Sequence, residues 1–325
     1  MPVLTSSSYP GAPYYQINGH LQTIIPSAFR KVEDVCYERE RITLSDGDFL
    51  DLDWLRADND RLLILTHGLE GNSSRHYMKG MARYFHQRGW DALAWNCRTC
   101  SGEMNHCLRM YNHGDIDDIQ EVIAHVLQSG QYRSIALVGF SMGGNITLKY
   151  LGVNGTNVPQ EIRAAVAFSA PVDLASSVDI LEHPKNWFYR RRFMKKLKAK
   201  IEAKAAQFPE AIDLSNFERI HHWRDFDEYF SAPISGYASA ADFYEKGSSL
   251  NFMKGLTVPT LLVNAKNDPL LTAACYPREL AAKHPKLTLE MPKSGGHVGF
   301  ELRKSPDTWS EHRAYTFVEQ VLGQN

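Results

Sequence analysis

Short apolar runs recur along the 325-residue chain, separated by stretches of helical periodicity, and the order in which the two kinds alternate points to the fold. Arg41-Ile42-Thr43-Leu44 and Phe49-Leu50-Asp51-Leu52-Asp53-Trp54 alternate apolar and polar positions around Ser45-Asp46-Gly47-Asp48, the pattern of a β-hairpin with one face turned in and one out. The later runs, 62–66, 92–95, 135–138, 164–168, 260–264 and 287–291, are almost wholly apolar, as strands covered on both faces read. Helical patterns over 77–88, 116–128, 144–152, 273–283 and 309–322 fall between and after them. This order predicts an α/β protein: one domain over 1–325, with a mostly parallel twisted sheet and helices on both faces.

The alternation breaks between Phe168 and Thr260, a gap too long for a loop and rich in aromatics. It predicts an inserted helical cap over 171–255. Within it, 185–201 has helical periodicity; at about 100° per residue Trp187, Phe193, Met194, Leu197 and Ile201 share one face. Arg191, Arg192, Lys195, Lys196 and Lys198 fan across the rest. The plain reading is a lid helix packed through its apolar stripe. A second reading gives it peripheral contact with anionic membranes, with Trp187 and Phe188 as interfacial anchors.

One motif carries the chemistry. Gly139-Phe140-Ser141-Met142-Gly143 stands between the strand pattern 134–138 and the helical pattern 144–152, so Ser141 falls on a sharp strand-to-helix turn. Glycines on both sides permit the close backbone approach such a turn needs. A serine nucleophile requires a base and an orienting acid. Asp268, in Asn264-Ala265-Lys266-Asn267-Asp268-Pro269, follows the strand pattern 260–263 and lies at a carboxyl strand end, where catalytic groups of open α/β sheets gather. His297, in Ser294-Gly295-Gly296-His297-Val298-Gly299-Phe300, sits in a glycine-flanked loop after the next strand. Asp268 also reads as an ordinary turn-forming residue before Pro269, and Asp173, after the preceding strand, is a rival acid. In the loop His67-Gly68-Leu69-Glu70-Gly71 the backbone amide of Leu69, together with that of Met142, is the expected oxyanion donor, with His67 bracing the loop.

Composition narrows the partners. The 36 Lys plus Arg nearly balance 37 Asp plus Glu, for a net charge of −1, which gives no reason to expect nucleic acid as a partner. Five scattered cysteines do not make a disulfide framework. Cys97-Arg98-Thr99-Cys100 has no second pair, and His106 and His113 lack finger spacing, so these are read as free thiols with no metal; no organic cofactor is implied either. The first residues lack a basic and apolar leader, and no stretch reaches membrane-spanning length, so a cytoplasmic protein is expected.

The ordered set His67-Gly68-Leu69-Glu70-Gly71, Asn96-Cys97-Arg98-Thr99-Cys100-Ser101-Gly102-Glu103, Gly139-Phe140-Ser141-Met142-Gly143-Gly144-Asn145, Lys149-Tyr150-Leu151-Gly152, Asn267-Asp268-Pro269 and Gly295-Gly296-His297-Val298-Gly299 resembles the YheT-like branch of the α/β-hydrolase superfamily. Asn18-Gly19-His20-Leu21-Gln22-Thr23-Ile24 matches that branch as well. The resemblance implies an α/β-hydrolase fold, a triad falling on Ser141, Asp268 and His297, and hydrolysis of carboxylic esters, with eukaryotic relatives that act on acylglycerols and phospholipids. The chain departs from the family pattern at Arg109-Met110-Tyr111-Asn112-His113-Gly114-Asp115 and at Thr99-Cys100, which bears on substrate preference. Short- to medium-chain acyl esters or acylglycerol-like lipids are the expected substrates. Two alternatives belong to other classes: acyl transfer to an alcohol or thiol through the same acyl-enzyme, and a binding protein on a hydrolase scaffold.

Overall fold

The computed structural model describes residues 3–324. Eight strands, β1 (Glu38–Thr43), β2 (Phe49–Leu55), β3 (Arg61–Thr66), β4 (Asp91–Asn96), β5 (Ser134–Phe140), β6 (Ile162–Phe168), β7 (Thr260–Val263) and β8 (Leu287–Glu290), form one sheet in the order β1-β2-β4-β3-β5-β6-β7-β8. The hairpin closes with Thr43 opposite Phe49, and β2 also runs antiparallel to β4. From β4 to β8 all pairings are parallel. The alternation expected in β2 is not seen, because Asp51 and Asp53 are buried too. Arg41 and Arg39 pair with them at 2.7 Å from the neighbouring strand, and Ser73 Oγ and Asn96 Nδ2 donate to Asp53, so ion pairs and hydrogen bonds cover the polar face.

The helices are α1 (Gly19–Phe29), α2 (His76–His86), α3 (Asp117–Gln128), α4 (Met142–Asn154), α5 (Leu174–Glu182), α6 (Trp187–Gln207), α7 (Trp223–Phe226), α8 (Ala232–Ile234), α9 (Ala240–Gly247), α10 (Arg278–Lys283) and α11 (Trp309–Leu322). In β3 the side chains alternate between two cores. Leu63 and Leu65 pack with Met78 and Phe85 of α2 and Val318 of α11, whereas Leu62 and Ile64 pack with Ile119 of α3, Ile146 of α4 and Ala281 of α10. Two elements differ from expectation. The pattern 273–283 is split into a 3-10 turn, Ala273–Cys275, and α10, because Pro277 lacks the N–H that would continue the first turn. Helix α1 is hidden in the sequence by its internal Pro26; Asn18 Oδ1 caps it by accepting from Leu21 N–H at 3.0 Å.

Between β6 and β7 the chain leaves the sheet and runs through α5 to α9, which share an apolar cluster of their own, including Val178, Leu197, Ile201, Phe226, Phe230 and Phe243. The buried side of α6 is made by Tyr189, Leu197, Ile201, Lys204 and Ala205. Trp187 does not join it and is 55% exposed, since the buried midline passes through Leu197 and Lys204, about a quarter turn away at 100° per residue. Lys204 is a cation inside the apolar stripe. Its ammonium donates to the carbonyls of Asn105, at 2.5 Å, and Cys107, and burial lowers its pKa.

Candidate active site

Strand β5 ends at Phe140; the next residue, Ser141, has a backbone (φ 53°, ψ −119°) outside the regions L-residues favour, and α4 begins directly after it. A Cβ on Gly139 would sit 2.3 Å from the Gly143 carbonyl oxygen, and one on Gly143 would sit 2.2 Å from that of Thr66, so neither position admits a side chain. Ser141 N–H donates to Phe168 O at 2.8 Å, tying the turn to β6. Asn145, fully buried in the first turn of α4, donates to His113 O (2.7 Å) and Gly247 O (2.8 Å) and accepts from Ser249 N–H (3.0 Å). The turn is thereby fixed from three sides.

Asp268 follows β7 and His297 follows β8. His297 Nδ1 lies 2.9 Å from Asp268 Oδ2, and Nε2 lies 2.8 Å from Ser141 Oγ. Asp268 Oδ1 also accepts from Leu270 N–H at 2.9 Å, so the turn-forming role exists beside the histidine contact. Asp173 is elsewhere: it caps α5 by accepting from Ser176 N–H at 2.9 Å, and among the described residues it makes no bond to His297.

The His297 loop is held by α1, a contribution that motif reading missed. Thr23 Oγ1 accepts from His297 N–H at 2.8 Å, and Gln22 Oε1 accepts from Gly295 N–H at 2.7 Å and from Asn267 Nδ2 at 2.9 Å. Asn267 Oδ1 in turn accepts from Gly296 N–H, and Ser169 Oγ accepts from Val298 N–H. Gly296 has φ +60°, and a Cβ there would meet Gly19 O at 2.7 Å, so the loop lies directly on the start of α1. The only sequence signal for these supports is the stretch 18–24, which carries the family resemblance without stating its task.

Across the elbow lies the loop after β3. A Cβ on Gly68 would stand 3.1 Å from Ser141 Cβ, and the N–H groups of Leu69 and Met142 donate to no protein acceptor among the described residues. His67 is completely buried, with Nδ1–H donating to Gly68 O (2.8 Å) and Nε2 accepting from Cys97 N–H (3.0 Å). Burial pulls its pKa down to about 4, so it is a neutral brace between two loops. Cys97 and Cys100 are free thiols, and burial raises Cys100 to about 11. The residue between them that does structural work is Arg98, whose buried guanidinium pairs with Asp46, Asp48 and Asp118.

Ser141 and His297 open onto a cavity of about 180 Å³. Leu174, Val178, Leu181, Phe193 and Phe243 give it an apolar wall, and Arg75, Arg192 and Lys196 also line it. His20 stacks on Tyr189 with its Nδ1 3.2 Å from the hydroxyl, joining α1 to α6 beside this opening. No helix among the described residues is long and apolar enough to cross a membrane.

These features agree with what the chain is similar to. Residues 61–304 match the family described as alpha/beta hydrolase fold. Among curated relatives, "Putative esterase YheT" of Escherichia coli (strain K12) is 32% identical over 94% of this chain and 91% of its own length. Phospholipase ABHD3 of Mus musculus is 28% identical over 99% of this chain and 79% of its own, and Monoacylglycerol lipase ABHD2 of Danio rerio is 24% identical over 98% and 81%. Among solved structures, the Pyrococcus furiosus esterase Pf2001 superposes with a TM-score of 0.60 at 20% identity, covering 89% of this chain and 92% of that one, a likeness of fold. With the family match over 61–304 and a near full-length YheT relative, the chain belongs to the α/β-hydrolase family, in its YheT-like branch.

Proposed function

We propose that the chain cleaves carboxylic esters through an acyl-enzyme on Ser141. The observation that carries this is the continuous relay in which His297 Nε2 stands 2.8 Å from Ser141 Oγ while Nδ1 stands 2.9 Å from Asp268. Ser141 Oγ attacks the ester carbonyl as Nε2 takes its proton, and the imidazolium then protonates the leaving alcohol. Asp268 keeps the proton on Nδ1 and stabilises the charged ring. The free amides of Leu69 and Met142 stabilise the developing oxyanion, and their place in a pre-set loop and helix end means no reorganisation at that moment. Water, activated by His297, then cleaves the acyl-enzyme.

The relatives named as esterase, phospholipase and monoacylglycerol lipase support the coarser statement, that this is a carboxylic ester hydrolase. Residues 171–255 act as its cap, and the apolar wall that Leu174, Val178 and Leu181 supply fits a short- to medium-chain acyl group. The test is turnover of a graded series of p-nitrophenyl esters by wild type and by Ser141→Ala, with a loss on the order of 10⁴-fold or more expected for the variant. Retained turnover by a folded Ser141→Ala protein contradicts the reading. The same relay serves acyl transfer, so adding glycerol or a thiol during turnover separates the two: transfer product in excess over free acid identifies a transferase.

Peripheral contact with anionic membranes rests on Trp187 and Phe188, 55% and 42% exposed beside the exposed Arg191 and Lys195. Co-sedimentation with anionic but not neutral vesicles at low salt, weakened by reversing Lys195 and Lys198 to Glu, is the expected result. No sedimentation with anionic vesicles refutes it.

A further inference from the structure

The turn that carries the Leu69 amide holds a glutamate in a backbone region that glutamate rarely adopts. Gly71 N–H donates to Gly68 O at 2.9 Å, closing a turn over Gly68-Leu69-Glu70-Gly71, and Glu70 at its third position has φ 54°. Type II turns require a positive φ at that place, and glycine or asparagine usually supplies it. A glutamate stays there only where its surroundings over-determine it. At Glu70 they do. The Tyr111 hydroxyl accepts from Glu70 N–H at 3.2 Å and donates to Glu70 Oε1 at 2.5 Å, so it holds main chain and side chain together. Lys200 reaches the same Oε1 at 2.8 Å, and only 5% of the Glu70 side chain is exposed. Burial raises the Tyr111 phenol well above its ordinary pKa, so the proton it donates stays on its oxygen.

Tyr111 is itself tied to the other half of the site. Just beyond it, His113 O accepts from Asn145 Nδ2 at 2.7 Å and Gly114 O accepts from Lys149 Nζ at 2.6 Å, and both donors lie on α4, the helix that begins with Met142. A chain of contacts therefore runs from the Met142 helix through 111–114 to Glu70, next to Leu69. The peptide that bears the Leu69 N–H has its carbonyl, Gly68 O, held by His67 Nδ1–H at 2.8 Å and by Gly71 N–H. The following peptide depends on Tyr111. Among the described residues, the Tyr111 hydroxyl is the one acceptor for Glu70 N–H; without it Glu70 relaxes toward negative φ, which rotates the Leu69–Glu70 peptide and shifts the backbone beside the Leu69 donor. Glu70 lines the cavity, whereas Tyr111 is buried behind it and is not part of its wall. Its hydroxyl reaches the reaction only through Glu70.

We propose that Tyr111 is a positioning residue for the oxyanion site: through its two bonds to Glu70 it holds the turn in which the Leu69 amide faces Ser141, and it links that turn to the helix that bears the Met142 amide. The inference rests on the reading of Ser141 as nucleophile and deepens it by naming what keeps one oxyanion donor in place.

Two variants of the full chain test it, each assayed below its own Tm. Tyr111→Phe removes the hydroxyl and keeps the ring. With p-nitrophenyl butyrate its kcat should fall about tenfold while KM stays within about twofold of wild type, because a displaced donor is felt by the transition state and not by the bound ester. A trifluoromethyl ketone with the same acyl chain adds to the nucleophile as a tetrahedral mimic, so its Ki should rise by the factor by which kcat/KM falls, which lost stability alone does not produce. The second variant is Glu70→Gly/Tyr111→Phe. Glycine adopts a positive φ unaided, so this protein should turn over about threefold or more faster than Tyr111→Phe. Unchanged kcat in Tyr111→Phe, a rise in KM at constant kcat, or a double variant no faster than the single one overturns the proposal; the last result would mean that the Glu70 carboxylate serves the substrate directly. The fluorine NMR signal of the ketone adduct keeps the two readings apart. A ketone that forms no adduct with wild type, or one that still forms with Ser141→Ala, refutes Ser141 as nucleophile, whereas an equally tight adduct in wild type and Tyr111→Phe refutes only the role of Tyr111.

Discussion

The loop that carries His297 and the helix α6 that walls the same cavity are held in place by different forces. Backbone amides of Gly295, Gly296, His297 and Val298 each donate to a side chain from elsewhere in the fold: Gln22, Asn267, Thr23 and Ser169. Helix α6 is held mainly by apolar burial of Tyr189, Leu197 and Ile201, and Arg192 and Lys196, which line the cavity, form no ion pair among the described residues. Hydrogen bonds are directional and fail when geometry shifts, whereas apolar contacts tolerate volume-conserving change. If the proposed reaction is right, the sheet-and-α1 side should govern its geometry and the α5 to α9 side the preference among substrates.

The largest effect is expected at the acid. Asp268→Asn should lower kcat by about 10⁴-fold, because the amide favours the wrong tautomer and removes the charge that stabilises the imidazolium. Asp173→Asn should leave kcat near wild type and change stability by less than about 1 kcal/mol, since asparagine caps helices nearly as well as aspartate. Steady-state kinetics of the two purified variants check this, and the reverse order would move the acid to Asp173.

A second test concerns the brace behind the elbow. His67 titrates near 4 in the folded chain against 6.5 unfolded, a lowered histidine pKa, so the unfolded state takes up a proton first as pH falls. Its contribution of about 3 kcal/mol is intact above pH 6.5 and is lost progressively down to about pH 4. Urea unfolding across that range should show stability falling with acid, with a shallower slope in His67→Gln. An equal slope in the variant would place the acid sensitivity elsewhere.

Thr23→Val removes the acceptor for His297 N–H and keeps the side-chain volume. An unsatisfied amide at that point should tilt the ring and lower kcat by about tenfold, with KM little changed, at a stability cost of about 1–2 kcal/mol. On the other side of the comparison, Val178→Ala widens the apolar wall and should shift the preferred acyl length, moving KM by about tenfold or less with kcat nearly constant. A kcat effect at Val178 as large as at Thr23 would erase the distinction between the two sides.

What could be read from the sequence follows the same division. The strands, the elbow, Asp268 and His297 were legible because a buried parallel strand must be a continuous apolar run, and a turn as tight as that at Ser141 must have glycine at 139 and 143. The supports of the His297 loop were not, since Gln22 and Thr23 act across more than 270 positions and lie on a helix that Pro26 disguises. Helix α6 misled for a different reason: periodicity gives the width of an apolar stripe but not its midline. Lys204 could sit at the centre of that stripe because two backbone carbonyls accept its protons, and Trp187 was turned out at the edge.

The most direct test of the central claim is to find where the acyl group goes. Wild-type protein would be quenched in acid during turnover of a slowly deacylated ester, digested, and its peptides weighed. One acylated site is expected, on the peptide bearing Ser141, absent from Ser141→Ala and accumulating far more slowly in His297→Ala. An acyl group on any other residue, or rapid ester cleavage with no adduct at Ser141 under conditions where deacylation is slow, would contradict it.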